Sequence, residues 1–220
     1  VHQFDGLKQQ RTPWAPCPQD AGRCRCEAAN NVTLENMCAI RDRISASLIL
    51  SDLVGLFTRN RGGVIVDAGT TAYHVAKHLG GKASHIITNS LPVANHFGSD
   101  NSVEVLVTGG VIYPRLGVLV GPLAVESLSK MHADVAIMSG GGITMDGITN
   151  SHALLIDIQR AMLQSAQRII FCLDHTKFNR RSVSPLCELD AIDTIVTDAQ
   201  APADLVGQLK QTNTQVVIAS

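Results

Sequence analysis

Seven short apolar runs, rich in β-branched residues, punctuate the chain: Val64–Val66, Ile86–Ile87, Val103–Val107, Val135–Met138, Ile169–Leu173, Ile192–Val196 and Val216–Ala219. Each is too short for a helix and is bounded by polar or glycine residues, which predicts buried strands. Between them lie stretches with helical spacing: Thr71–Leu79, Pro92–Phe97, Leu123–Met131, Ala153–Ser165 and Pro202–Leu209. In the fourth of these, Leu154, Ile158 and Met162 recur every four residues, predicting a core-facing stripe with Ser151 as its N-cap. Apolar strands alternating with helices predict βαβ units. The expected fold class is therefore α/β, with a mostly parallel, Rossmann-like sheet covered on both faces.

Upstream the pattern changes. Leu34–Phe57 offers one or two helices, with Ile40, Ile44 and Leu48 on one face. Residues 1–45 hold Pro13, Pro16 and Pro18 and no sustained period. They read as an irregular N-terminal segment, truncated or aberrant, ahead of one ligand-binding domain over residues 46–220. The first residue is Val1, which suggests a fragment, a processed chain or an incomplete gene model. Four of the six cysteines fall in this segment, at Cys17, Cys24, Cys26 and Cys38. Cys24-Arg25-Cys26 lacks the C-x2-C spacing of a zinc site, and free thiols are the expectation. The segment carries six Lys or Arg against five Asp or Glu, too balanced for a basic arm.

Composition narrows the classes. Hydrophobic residues are 45% of the chain and charged residues 17%, which excludes a wholly disordered chain. The formal net charge of -1 argues against binding dominated by nucleic-acid phosphates. No apolar run is long enough to cross a bilayer, and no secretory signal opens the chain. A cytoplasmic protein is the expectation.

The polar and glycine residues cluster just after the strands. Asp67-Ala68-Gly69-Thr70-Thr71 follows the first run, Thr88-Asn89-Ser90 the second and Thr108-Gly109-Gly110 the third. Ser139-Gly140-Gly141-Gly142 follows the fourth and Asp174-His175-Thr176-Lys177 the fifth. In an open α/β sheet such positions converge on the carboxyl edge, where ligands bind. Gly69 allows a close backbone approach, Thr70 and Thr71 offer hydroxyls and amides at a helix start, and Lys177 adds a cation. Asn89, Ser90, Gly109 and Gly110 can serve sugar hydroxyls, so the mix suits a phosphorylated sugar or polyol. The candidate ligand-binding residues are Asp67, Gly69, Thr70, Thr71, Thr88, Asn89, Ser90, Gly109, Gly110, Gly140, Gly141 and Lys177. The same residues also cap helices and close turns, and a lone junction of this kind is more often structural. No Walker or G-x-G-x-x-G motif occurs, so no nucleotide cofactor is expected. His74 and His78, four apart on one helix, lack a carboxylate partner and read as a solvated face rather than a metal site.

This ordered set of motifs, with Asn89-Ser90-Leu91-Pro92, Val120-Gly121-Pro122, Asp146-Gly147-Ile148-Thr149, Thr176-Lys177-Phe178 and Ile195-Val196-Thr197-Asp198, resembles the effector domain of DeoR-type bacterial transcriptional regulators. The resemblance runs from Val64 to the C-terminus. It implies a sheet related to ribose-5-phosphate isomerase, a phosphorylated sugar as effector, a homo-oligomer, and a Gly69-Thr70-Thr71 phosphate loop with Lys177 in the same pocket. It also implies operator binding, but only through an N-terminal winged helix that is not evident before Val64. A family turn that commonly carries Asp reads Gly140-Gly141-Gly142-Ile143 here, which removes a carboxylate from the pocket rim. The competing reading on the same fold is an aldose–ketose phosphate isomerase, with Asp67, Asp146 or Asp174 as base. A remnant without function is a third.

Overall fold

The computed structural model describes residues 62–219. The expectations for residues 1–45 and for the helices of Leu34–Phe57 lie outside the described residues.

All seven apolar runs form strands of one parallel sheet. They are β1 (Gly63–Val66), β2 (His85–Thr88), β3 (Glu104–Val107), β6 (Ala133–Met138), β9 (Ala166–Cys172), β11 (Thr194–Asp198) and β12 (Gln215–Ala219). Their order is β12-β11-β9-β6-β1-β2-β3, with every neighbour parallel. Parallel pairing follows from the helical crossovers α1 (Thr70–Ala76), α2 (Leu91–Phe97), α3 (Pro122–Ser129), α4 (Ala153–Gln164) and α5 (Ala203–Leu209).

Side chains alternate across the sheet, so β1 feeds two cores. Ile65 joins Met138, Phe171 and Ile195 beneath Leu128, Ile158, Met162 and Leu205. Val64 and Val66 join Ile86, Val135 and Ile137 beneath Val75, Leu79, Val93 and Phe97. A sheet covered on both faces needs continuously apolar strands, and that is why these runs were readable.

Five short strands were not expected. An antiparallel pair, β4 (Val111–Tyr113) with β5 (Val118–Val120), stands beside the main sheet. A second small sheet has the order β10-β8-β7, with β7 (Gly142–Thr144), β8 (Gly147–Asn150) and β10 (Ser184–Cys187). These strands have three or four residues each, too few to show a period; β7, β8 and β10 are also interrupted by Gly, Thr, Ser or Pro.

Three local expectations are corrected. The N-cap of α4 is His152, not Ser151, and it makes no side-chain capping bond. Leu154 is 60% exposed, and Leu155 takes the buried place above Ile158 and Met162. The helix starts at Ala153 as expected, and Ile158 and Met162 keep their places in the stripe. His74 is buried rather than solvated, with its Nδ1 3.5 Å from Lys77 Nζ, while His78 is exposed. The two histidines therefore do not share a face open to one ion. Among the described residues no group of His, Cys, Asp and Glu can hold a metal. No helix there is long and apolar enough to cross a membrane.

Candidate functional site

A cavity of about 280 Å³ opens at the carboxyl edge of β1, β6 and β9. Three adjacent strands deliver their last residues to it: Asp67 from β1, Ser139, Gly140 and Gly141 from β6, and Asp174 after β9. Gly69, Thr70 and Thr71 enter with the first turn of α1, and Lys177 enters from a 3₁₀ turn, His175–Lys177. Seven of the twelve candidate residues thus meet around one space: Asp67, Gly69, Thr70, Thr71, Gly140, Gly141 and Lys177.

The Gly69 loop is shaped for close approach. Gly69 is the N-cap of α1 and supplies no capping side chain, so nothing of its own covers the amides of the first turn. A Cβ there would stand 1.7 Å from Ser139 Oγ. Only glycine lets β1 and β6 release their ends this close together. At Gly141 a Cβ would meet Ser182 Oγ at 2.7 Å and Asn150 Cα at 3.2 Å, so the local packing has no room for the aspartate the family turn commonly carries.

Asp67 is 2% exposed and lies within a donor network. Its Oδ2 accepts from Ser139 Oγ at 2.6 Å, Gln159 Nε2 at 3.0 Å and Ser139 N at 3.1 Å. Burial raises its pKa above the usual carboxylate value, against the opposing pull of those donors and of the Ala68 amide. Gln159 is held in turn by Asn150, whose Nδ2 donates to Gln159 Oε1 at 2.8 Å. Cys172 lines the same wall as a buried thiol, its pKa pushed up to about 12 by burial, so it stays a neutral apolar surface.

The other five candidates lie elsewhere. Thr88 Oγ1 donates to Val66 O at 2.7 Å and accepts from Ser90 N at 3.0 Å. Asn89 Nδ2 donates to Leu119 O at 3.1 Å. Ser90 is the N-cap of α2 and accepts from Val93 N. Gly109 and Gly110 have positive φ and turn the chain from β3 into β4. None of the five lines the cavity. Asn89 and Ser90 fasten the start of β5 to the end of β2, and the β4–β5 hairpin in turn brings Leu116 and Val118 to the cavity wall. Asp146 is exposed, ion-paired with Arg181 on the β7–β8 turn, and absent from the lining.

Gln159, Asn150, His152, Leu155 and Ser139 complete the lining and were not among the candidates. A signal existed for Gln159. It stands four residues after Leu155 and three before Met162, a polar residue on the core stripe of α4. The first turn of α4 carried no comparable sign for His152.

The family described as DeoR C terminal sensor domain matches residues 54–199. This chain belongs to that family. As a DeoR sensor domain it is 35% identical over 146 residues to the HTH-type transcriptional repressor GlcR of Bacillus subtilis, covering 65% of this chain and 57% of that protein. It is 28% identical over 154 residues to the L-fucose operon activator of Haemophilus influenzae, covering 70% of this chain and 62% of that one. The match therefore spans about three fifths of the length of these relatives. Among solved structures, the sensor domain is similar to the translation initiation factor eIF-2B of Pyrococcus horikoshii OT3. The TM-score is 0.50 and the identity 13%, over 74% of this chain and 64% of that one. That likeness speaks for the fold alone.

Proposed function

We propose that this DeoR sensor domain binds a phosphorylated sugar in the cavity at the ends of β1, β6 and β9, and so controls genes of carbohydrate metabolism. The observation that carries the reading is that the uncapped Gly69-Thr70-Thr71 turn and Lys177 line one cavity. First-turn amides and a lysine suit the oxygens of a phosphate. Asp67, Gln159 and Asn150 supply a polar floor that suits sugar hydroxyls. A cytoplasmic homo-oligomer that reaches operator DNA through a separate N-terminal domain completes the proposal.

Thermal unfolding with a panel of sugar phosphates and their unphosphorylated parents tests it. Ligand at 100 times its dissociation constant should add about 2.7 kcal/mol of stability, and the parent sugars should add little. No shift with any phosphorylated member would overturn the reading.

One observation favours a second reading. Asp67, Asp174 and Lys177 line the same cavity, the residue types an aldose–ketose isomerase needs for a base and an enediolate partner. Exchange of the C2 proton of glucose 6-phosphate or ribose 5-phosphate in heavy water, lost on Asp174→Asn, would establish it. The Asp67 oxygen that faces three protein donors is poorly free to take a proton from a substrate, which leaves Asp174 as the base of this second reading.

A further inference from the structure

Three carboxylates stand at strand ends on this edge of the sheet: Asp67, Asp174 and Asp198. Neither Asp67 nor Asp198 has a buried oxygen left without a partner. Asp67 Oδ2 takes three donors. Asp198 Oδ2 accepts from His175 N at 2.8 Å, and its Oδ1 meets His175 Nδ1 and Gln200 N, each at 3.0 Å.

Asp174 differs. It is 1% exposed, and its Oδ1 accepts both the amide and the hydroxyl of Thr176. Its Oδ2 is buried and has no hydrogen-bond donor. Asn89 Oδ1 and Thr197 Oγ1 share that condition, but neither residue lines the cavity, and Asp174 does. The capping of the 3₁₀ turn accounts for one oxygen only, and Ser or Asn performs that task without a second acceptor. A buried carboxylate oxygen without a donor is costly to keep. Asp174 lines a ligand-sized cavity, so a ligand can supply the donor that the protein does not.

We propose that Asp174 is the specificity residue that reads a hydroxyl of the ligand, accepting its hydrogen bond through Oδ2. The inference rests on the sugar-phosphate reading of the cavity and divides the labour within it. The Gly69 turn and Lys177 hold the anion, and Asp174 selects the polyol that carries it. Lys177, on the same turn as Asp174, makes a second cation here superfluous, so the recognised donor is a neutral hydroxyl rather than an ammonium group.

The test compares the 220-residue chain with Asp174→Asn by calorimetry and thermal unfolding, using ribose 5-phosphate, glucose 6-phosphate, fructose 6-phosphate and inorganic phosphate. Affinity for whichever sugar phosphate binds the parent chain should fall about tenfold or more in the variant. The response to inorganic phosphate should not change. Retained sugar-phosphate affinity overturns the proposal and leaves Asp174 as a turn cap. If no sugar phosphate binds the parent chain, the phosphate reading falls by itself, and the ligand-free melts still decide the role of Asp174. A melting temperature about 2 °C or more above the parent upholds the penalised, donor-less carboxylate on which the proposal stands. An equal or lower one overturns it. Asp174→Ser, which keeps a capping oxygen, serves in the same comparison if the asparagine variant does not fold.

Discussion

Two stretches of the same sheet edge carry nearly the same residue types and do different work. At β1, β6 and β9 the strand-end residues face a cavity. At β2 and β3 they face the protein. Thr88, Asn89 and Ser90 are consumed by Val66 O, Leu119 O and the first turn of α2, and Gly109 and Gly110 close a hairpin. The difference lies in where the hydrogen bonds go, not in composition. A buried polar group must find a partner. On the β2–β3 side neighbouring backbone supplies most of those partners. On the β1–β9 side a cavity lies where some of them would be.

This contrast predicts that variants on the β2–β3 side change stability and leave binding intact, with the reverse on the cavity side. The largest effect expected is from Gly110→Ala. Its φ of 114° disfavours any side chain, and a Cβ would lie 2.7 Å from Val120 O. A loss of about 3 kcal/mol in denaturant unfolding should accompany unchanged sugar-phosphate affinity in the fraction that remains folded. Lys177→Ala should do the opposite, weakening sugar-phosphate binding about ten- to a hundredfold, or roughly 1.5–3 kcal/mol, with a nearly unchanged melt. Calorimetry showing full affinity would break the contrast at its strongest point. Ser90→Ala should cost about 1 kcal/mol of stability through the lost cap of α2 and nothing in binding. A clear loss of ligand affinity in that variant would place the β2 junction in the site after all.

The smallest effect concerns Asp67. Burial raises its folded pKa above the ordinary 3.8, so its ionised form is the penalised one. That penalty is fully present above the folded pKa and is relieved as pH falls towards the unfolded value. Asp67→Asn carries no such penalty. The stability of the variant relative to the parent chain should therefore decline as pH is lowered from neutral towards 4, measured as the difference between two denaturant titrations. A difference independent of pH would show that folding leaves the pKa of Asp67 where it stands in the unfolded chain.

The main sheet was legible because a doubly covered parallel strand has to be apolar throughout, and Val64–Val66 or Ile169–Cys172 can hardly be read otherwise. The strands β4, β5, β7, β8 and β10 were not, because three residues such as Gly142-Ile143-Thr144 hold no period and are strands only through their partners. The stripe of α4 was read correctly at Ile158 and Met162, but its first member is Leu155 rather than Leu154, and the N-cap His152 has no capping signature. The strand-end clusters were easy to see, but Asn89 and Gly69 look equally functional in one dimension. What separates them is that Asn89 meets Leu119 across 30 positions. Gln159 was hidden for the opposite reason, as a polar residue on a helix face reserved for apolar ones.

The strand order also has a consequence in time. β1 is the first described strand of the chain but lies inside the sheet, paired with β2 on one side and β6 on the other, with Val64 opposite Val135. As the chain leaves the ribosome, β1, β2 and β3 can assemble early, yet the other edge of β1 stays open until β6 has been synthesised. Through that interval the backbone of Val64, Ile65 and Val66, destined for the centre of the molecule, is an adhesive strand edge. Because loop closure over that separation precedes the central pairing, docking of β6 is the step on which the yield of native protein should turn, and the nascent chain is most vulnerable to self-association just before it.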